Sequence, residues 1–145
     1  MIPRFGEQPR SDRKYILRPG VYAILQLRGA VLLTFQSRPA PEIQLPGGGI
    51  DPGEGPMRAL HREVLEETGW RIGAPRLLGR YRRFTYMPEY DLWAEKLCHI
   101  YVARPSRSLG PPSEPDHTVL WLPGRDAAEA LHNDGDAQFL RRFLR

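Results

Sequence analysis

The segment Leu45–Trp70 restricts this chain more than any other. It reads LPGGGIDPGEG, then PMRALHREVLEET, then GW. So much glycine and proline forbids regular structure before Pro56. From Pro56 to Thr68 the chain reads as a helix, because proline suits the first turn and Gly69 can stop the helix in a left-handed conformation. At roughly 100° per residue, Met57, Leu60, Val64 and Leu65 share one side, the expected core face. Ala59, Glu63, Glu66 and Glu67 share the other.

Glu63 stands three positions before Glu66 and four before Glu67, so three carboxylates crowd one turn. Like charges at such spacings cost a helix a few tenths of a kcal/mol per pair, on the order of 0.2–0.5. Arg62 can pair with Glu66 at the i, i+4 spacing, and Arg58 lies on the same flank. Neither arginine falls naturally between Glu63 and Glu67. A hard divalent cation would, since Mg²⁺ takes oxygen ligands and is commonly held by carboxylates together with substrate phosphates. Taken as charge alone, the helix could equally present a solvated acidic face. The preceding loop bears on that choice: Gly47, Gly48 and Gly49 allow the main chain to approach a ligand closely, so a carbonyl could join a coordination shell, and Glu54 adds a carboxylate. Without a ligand, the same glycines make a plain turn.

The rest of the chain reads as strands with helices between and after them. Two apolar runs, Val21–Leu27 and Ala30–Phe35, flank Arg28-Gly29 and predict a β-hairpin. Further strands are expected at Gly79–Tyr86, Leu97–Ala103 and Thr118–Leu122, with Arg104–Asp116 a long mobile loop. A short helix is expected near Asp126–Leu131. An amphipathic one follows over DAQFLRRFLR, where Phe139, Leu140, Phe143 and Leu144 recur at helical spacing. The class is mixed α/β.

A length of 145 residues suits one domain, 1–145, with residues 1–14 a basic, flexible lead. The single cysteine, Cys98, has no internal partner, and no Cys/His cluster has zinc spacing, so a cytoplasmic protein is expected. The polar N-terminus is no secretory signal, and no apolar run approaches the roughly 18 residues that span a membrane. The net charge of +4 is uneven: residues 48–70 hold five acids and two arginines, 2 − 5 = −3, leaving +7 elsewhere. An acidic island in a basic chain suits a place where cations and a polyanion meet, although basic residues also serve solubility.

Residues 48–70, GGIDPGEGPMRALHREVLEETGW, resemble the Nudix box, G-x5-E-x7-R-E-U-x-E-E-x-G-U, in which U is bulky and apolar. Gly48, Glu54, Arg62, Glu63, Val64, Glu66, Glu67 and Gly69 fall on the pattern, and the preceding IQLPGG is similar to the strand and turn that lead into it. Trp70 departs from the usual aliphatic residue, which bears on packing and not on chemistry. The resemblance implies an α/β/α sandwich on a mixed sheet. It also implies a divalent-cation-dependent hydrolase, with Mg²⁺ or Mn²⁺, that cleaves a phosphoanhydride bond in a nucleoside diphosphate linked to another group.

By the same resemblance the metal ligands would be Glu63, Glu66 and Glu67 with the Gly47 carbonyl. Glu54 would support the loop or reach a metal through water. Glu63 is a candidate base, with Glu66 beside it, and Arg62 would orient the carboxylates. Glu114, Asp116 or Glu95 would supply an acid outside the box, Glu114 being favoured. Arg80, Arg82, Arg83 or Lys96 would meet phosphates. Tyr86 stands near a position where some members that cleave dinucleoside polyphosphates carry tyrosine. Tyr22, Phe35, Tyr81, Phe84 and Trp93 are further aromatic candidates for base stacking. His99 and His117 could stand near the site, while His61 and His132 read as helix residues. The partner implied is a small nucleotide, with pairing into a homodimer common among similar proteins. Two other outcomes would fit the box: an RNA 5′-end pyrophosphohydrolase, suggested by the basic termini, including Arg141, Arg142 and Arg145, or a sensor that binds without cleaving. A basic interaction module would show no metal-dependent turnover at all.

Overall fold

A computed structural model describes residues 1–144; Arg145, one of the basic terminal residues, lies outside them. The elements are β1 (Ile16–Leu27), β2 (Ala30–Gln36), β3 (Glu42–Gln44), β4 (Gly47–Gly49), α1 (Pro56–Thr68), β5 (Trp70–Met87), β6 (Leu92–Ser108), β7 (His117–Pro123), α2 (Gly124–Ala130) and α3 (Asp134–Leu144). The strands form a mixed sheet in the order β3-β2-β1-β6-β5, with β4 added to β1 and β7 to β2. Only β1 and β6 run parallel among the paired strands of the described residues.

β1 is central, and its continuous apolar run follows from burial on both faces. Val21, Ala23 and Leu25 pack with Leu32 against Ala59, Leu60 and Val64 of α1. Tyr22 and Ile24 pack with Val31 and Leu33 against Ala127, Ala128, Ala137, Phe139 and Leu140 of α2 and α3. Two helical layers thus cover one sheet, the α/β/α sandwich expected. Each fully buried leucine here contributes about 1.5–3 kcal/mol. Among the described residues no helix is long and apolar enough to cross a membrane.

The Arg28-Gly29 hairpin forms, both residues taking positive φ (52° and 81°) as a tight two-residue turn requires. Its pairing stops after Gln26↔Val31 and Leu27↔Ala30, because along those edges β1 then pairs β4 while β2 pairs β3. The basic lead lies along β5: the Phe5 N–H donates to the Arg82 carbonyl at 3.0 Å, and the Phe5 ring meets Tyr81 edge-on.

Four expectations are corrected. Gly47–Gly49 is not irregular: it pairs antiparallel with Gly20–Tyr22, since a ladder asks only for backbone groups. The outer hairpin is far longer than its two expected cores. Its ladder absorbs Gly73, Ala74 (φ 51°) and Pro75 through register shifts, as bulges allow. The loop after it consequently begins near Leu109 and is tied down, with Leu109 N–H on the Gly69 carbonyl at 2.8 Å. His132 is not helical but links α2 to α3, its Nδ1 accepting the Ile43 N–H at 3.0 Å.

Candidate active site

The helix that carries the acids is set by its ends. Pro56 opens α1 behind Gly55, and Gly69 closes it at φ 77°, its N–H bonded to the Leu65 carbonyl at 2.8 Å. The buried side is Ala59, Leu60, Val64, Glu67 and Thr68. The expected core face was therefore rotated: Met57 is 39% exposed, whereas Ala59 and Glu67, assigned to the acidic side, turn inward. Glu67 goes inward because β4 lies against α1 with a donor to offer. Val21↔Gly48 is the bonded pair between β1 and β4, as the flanking Ala23 N–H to Pro46 carbonyl and Ile50 N–H to Pro19 carbonyl bonds show. By the alternation of antiparallel ladders, the N–H and carbonyl of Gly47 then point away from β1. That N–H donates to Glu67 Oε1 at 3.0 Å. Only glycine fits here, since φ is 151° and a Cβ would stand 2.1 Å from the Val21 carbonyl oxygen.

Arg62 gathers the other acids. Its Nε and Nη2 donate to the two oxygens of Glu54 at 2.7 and 2.9 Å, and its Nη1 donates to Glu63 at 3.1 Å and Glu66 at 3.3 Å. Nη2 also reaches the Gly49 carbonyl at 3.3 Å and Asp51 at 3.4 Å. One guanidinium thus joins the glycine loop to the helix. The bonds from Arg62 hold the Glu54 carboxyl down to about 2. Through Arg62 and the Asp51 N–H, Glu54 ties the loop to the helix. Burial pushes the Glu63 carboxyl up against the pull of Arg62, and the Glu66 charge adds to the rise. Burial likewise raises Glu67 well above the usual range, against the Gly47 N–H and reinforced by Glu63, Glu114 and Glu66.

On its other side, Glu67 Oε2 lies 3.5 Å from Nε2 of His117, at the start of β7. The intervening segment folds over the end of α1, where the N–H groups of Ser113 and Glu114 both donate to the Glu66 carbonyl, at 2.9 and 3.1 Å. Of the acids considered outside the box, Glu114 is the one whose charge bears on both Glu63 and Glu67. Glu95 pairs with Arg82 at 3.5 Å, and Asp116 accepts the Ser37 N–H at 2.9 Å through its carbonyl.

Glu54, Glu63 and Glu67 border a cleft of about 650 Å³, whose wall also includes Gly47–Gly49, Arg18, Gln36, Gln44, Tyr90 and Lys96. Of the basic candidates, Lys96 lies in that wall. Arg82 and Tyr86 do not: Arg82 turns to Glu95, and the Tyr86 hydroxyl bonds Asp91 at the hairpin tip. Arg80 is exposed and Arg83 lies 3.6 Å from Glu42. Among the stacking candidates Tyr22 lines the cleft, whereas Tyr81 and Phe84 are buried and Trp93 packs on Tyr15 and Tyr86. Arg18, Gln36, Gln44 and Tyr90 escaped the sequence reading, which holds no spacing signal for them. Trp70 packs edge-on against Trp121, so the departure at this position is absorbed by a second aromatic ring.

Among the described residues no three His, Cys, Asp or Glu side chains converge closely enough to cage an ion by themselves. The donor set still has the chemistry of a hard cation, all oxygen, with Glu63, Glu66 and Glu67 on one turn and the Gly47 carbonyl facing the same way. Mg²⁺ accepts such an open set because it keeps waters and takes phosphate oxygens as further ligands.

Known proteins resemble this chain in sequence and in fold. A Bacillus subtilis (strain 168) protein provisionally named an 8-oxo-dGTP diphosphatase is 34% identical over 74 residues, 51% of this chain and 50% of that one. The CMP-5′-(N-acetyl-N-hydroxy-3-aminopropyl)phosphonate hydrolase of Streptomyces rubellomurinus is 29% identical over 129 residues, 84% of this chain and 60% of that one. The matched stretch is thus about half to three-fifths of those relatives' lengths. A NUDIX hydrolase from Nitrosomonas europaea superposes with a TM-score of 0.72 over 88% of both chains at 19% identity, which speaks to the fold. Residues 15–143 match the NUDIX domain family. With that match spanning the sheet, the acidic helix and both covering helices, the chain belongs to the Nudix family.

Proposed function

We propose that this protein hydrolyses a phosphoanhydride bond in a nucleoside diphosphate linked to another moiety, using Mg²⁺ or Mn²⁺. The observation that carries this reading is the juxtaposition in one cleft of the α1 carboxylates Glu63 and Glu67, the outward-turned Gly47 backbone and the cations Arg18 and Lys96. The names of both relatives place a nucleotide in the substrate, 8-oxo-dGTP in one and a CMP conjugate in the other, which supports it.

Glu63, Glu66, Glu67 and the Gly47 carbonyl would hold the cation. When bound, such an ion acidifies water and offsets phosphate charge. The chain supplies the rest. Arg62 fixes the directions of Glu63 and Glu66 and, through Glu54, the loop facing them. Glu63 would take the proton of the attacking water. Lys96 and Arg18 would draw the phosphates into the cleft and hold them. A nucleoside monophosphate and a phosphorylated remainder would leave.

A panel of nucleoside triphosphates, nucleotide sugars, dinucleoside polyphosphates and 5′-triphosphorylated RNA, assayed with Mg²⁺, tests this. At least one should turn over, and Glu66→Gln or Glu67→Gln should lower the rate by roughly two orders of magnitude or more, as loss of a charge-stabilising group does. The unfolding midpoint should hold or rise, because a crowded charge is removed. Full activity in either variant would overturn the ligand assignment.

A further inference from the structure

Arg62 reaches Glu54, Glu63 and Glu66, but Glu67 lies on the opposite flank of the turn and takes nothing from it. Something else must fix the Glu67 carboxylate, since one hydrogen bond to one oxygen leaves the group free to swing about that contact. The Gly47 N–H holds Oε1, and 3.5 Å from Oε2 stands Nε2 of His117. This imidazole is about nine-tenths buried, with a side-chain exposure of 9%, and its Nδ1 has no partner. A buried ring nitrogen without a protein partner is a cost that packing alone does not explain.

Its surroundings are built around that position. His117 pairs with Gln36 across β7 and β2, Val119 with Thr34, and Thr34 with Gln44 across β2 and β3, so these side chains share one face of the sheet. Gln44 donates to Gln36 at 2.8 Å, and Thr34 Oγ1 is a second buried atom without a partner. A polar strip therefore runs from the cleft floor to Glu67 in a region otherwise packed with aliphatic and aromatic groups. The chain entering β7 is fixed to α1 by the bonds of Ser113 and Glu114 to the Glu66 carbonyl.

We propose that His117 is a positioning residue for the cation site: from β7 its Nε2–H holds Glu67 Oε2, while the Gly47 N–H holds Oε1. The carboxylates of α1 are thus set by two separate clamps, Arg62 for Glu63 and Glu66 and His117 for Glu67. Groups that orient a metal-binding side chain in this way typically govern affinity by about 10–100-fold. The inference rests on the cation reading above.

The test measures Mn²⁺ binding to the metal-free protein by titration calorimetry, with no substrate and no turnover. His117→Leu should raise the Kd for Mn²⁺ by about 10–100-fold, while His117→Gln, whose terminal amide reaches the place of Nε2, should return most of it. Unfolding midpoints recorded alongside separate positioning from folding. If the leucine variant does not fold, His117→Asn takes its place, because that amide mimics Nδ1 and stops short of Glu67. Equal Mn²⁺ affinity in the parent and the leucine or asparagine variant would overturn the role of His117 alone. A glutamine variant that loses as much affinity as leucine would overturn it too. A parent protein that binds no Mn²⁺ would overturn the cation reading and this inference with it.

Discussion

Asp136 shows at the residue scale how a buried polar group can staple this fold. It lies wholly inside the first turn of α3, where Oδ1 accepts the Tyr81 hydroxyl at 2.6 Å and Oδ2 is 3.5 Å from the Leu45 N–H. Asn133 donates to the same hydroxyl at 2.8 Å. β5, α3 and the connection between β3 and β4 meet there, with Gly135 kept small because a Cβ would stand 2.4 Å from the Tyr81 ring. Burial raises the Asp136 carboxyl above its usual range, against the opposing donors Tyr81 and Leu45. The folded protein therefore holds this proton more tightly than the unfolded chain. The stability it contributes is complete near and below the ordinary aspartate value of 3.8 and is lost as pH rises through the folded value. Asp136→Asn does not titrate. Its deficit against the parent, about 1 kcal/mol near pH 4, should narrow as pH rises, which urea unfolding across that range would show. A deficit that widens with pH would mean that the group is stabilised as a carboxylate.

Among the elements, α1 depends on its C-terminal glycine in two ways that can be separated. Gly69 takes a left-handed φ of 77°, and a Cβ on it would stand 1.9 Å from the Gly110 carbonyl oxygen; Gly53 has a similar φ of 78° with nothing within 4 Å. Gly53→Ala should therefore cost only the conformational penalty, about 1–2 kcal/mol. Gly69→Ala should cost more, because the 109–116 segment must also move. Equal losses in urea unfolding would mean that the packing of that segment contributes nothing. The bounds of α1 were legible in the sequence because Pro56 and Gly69 act locally, and so was the Arg28-Gly29 turn. β4 was not, since three glycines carry no side-chain pattern and their strand exists only through backbone bonds to β1. The ends of β5 and β6 were hidden by Pro75 and Pro105, residues that a bulged hairpin tolerates but a pattern reader takes as stops. The acids of α1 were legible from their spacing, yet the inward turn of Glu67 depends on the Gly47 N–H, a partner 20 positions away. His117 could be named from the sequence as a residue near the site, but its approach to Glu67, at 3.5 Å, shows only once β7 is laid beside β2.

For the molecule as a whole, the sandwich brings residues from distant stretches to one cleft, so Arg18 and Lys96, from outside the box, stand beside Glu54, Glu63 and Glu67 within it. Attraction of a polyanion through such a field weakens as salt screens it over about 8–10 Å. KM for a substrate of the proposed class should rise with ionic strength. Lys96→Met should raise KM by about tenfold and flatten that salt dependence, with kcat changed less, as initial-rate measurements would show; an unaltered KM would remove Lys96 from phosphate binding. The long ribbon of β5 and β6 spans the distance between the two ends of this arrangement. Its root, at Trp70 and Ser108, adjoins the capped end of α1, while its tip, around Glu89 and Tyr90, overhangs the cleft mouth. Tyr90 is 56% exposed there, with Arg18 over its ring. One ribbon thus borders both the helix that bears the acids and the far wall of their cleft, and under the proposed function an exchange of the short turn between its strands should alter which substrates enter while leaving the acids of α1 in place.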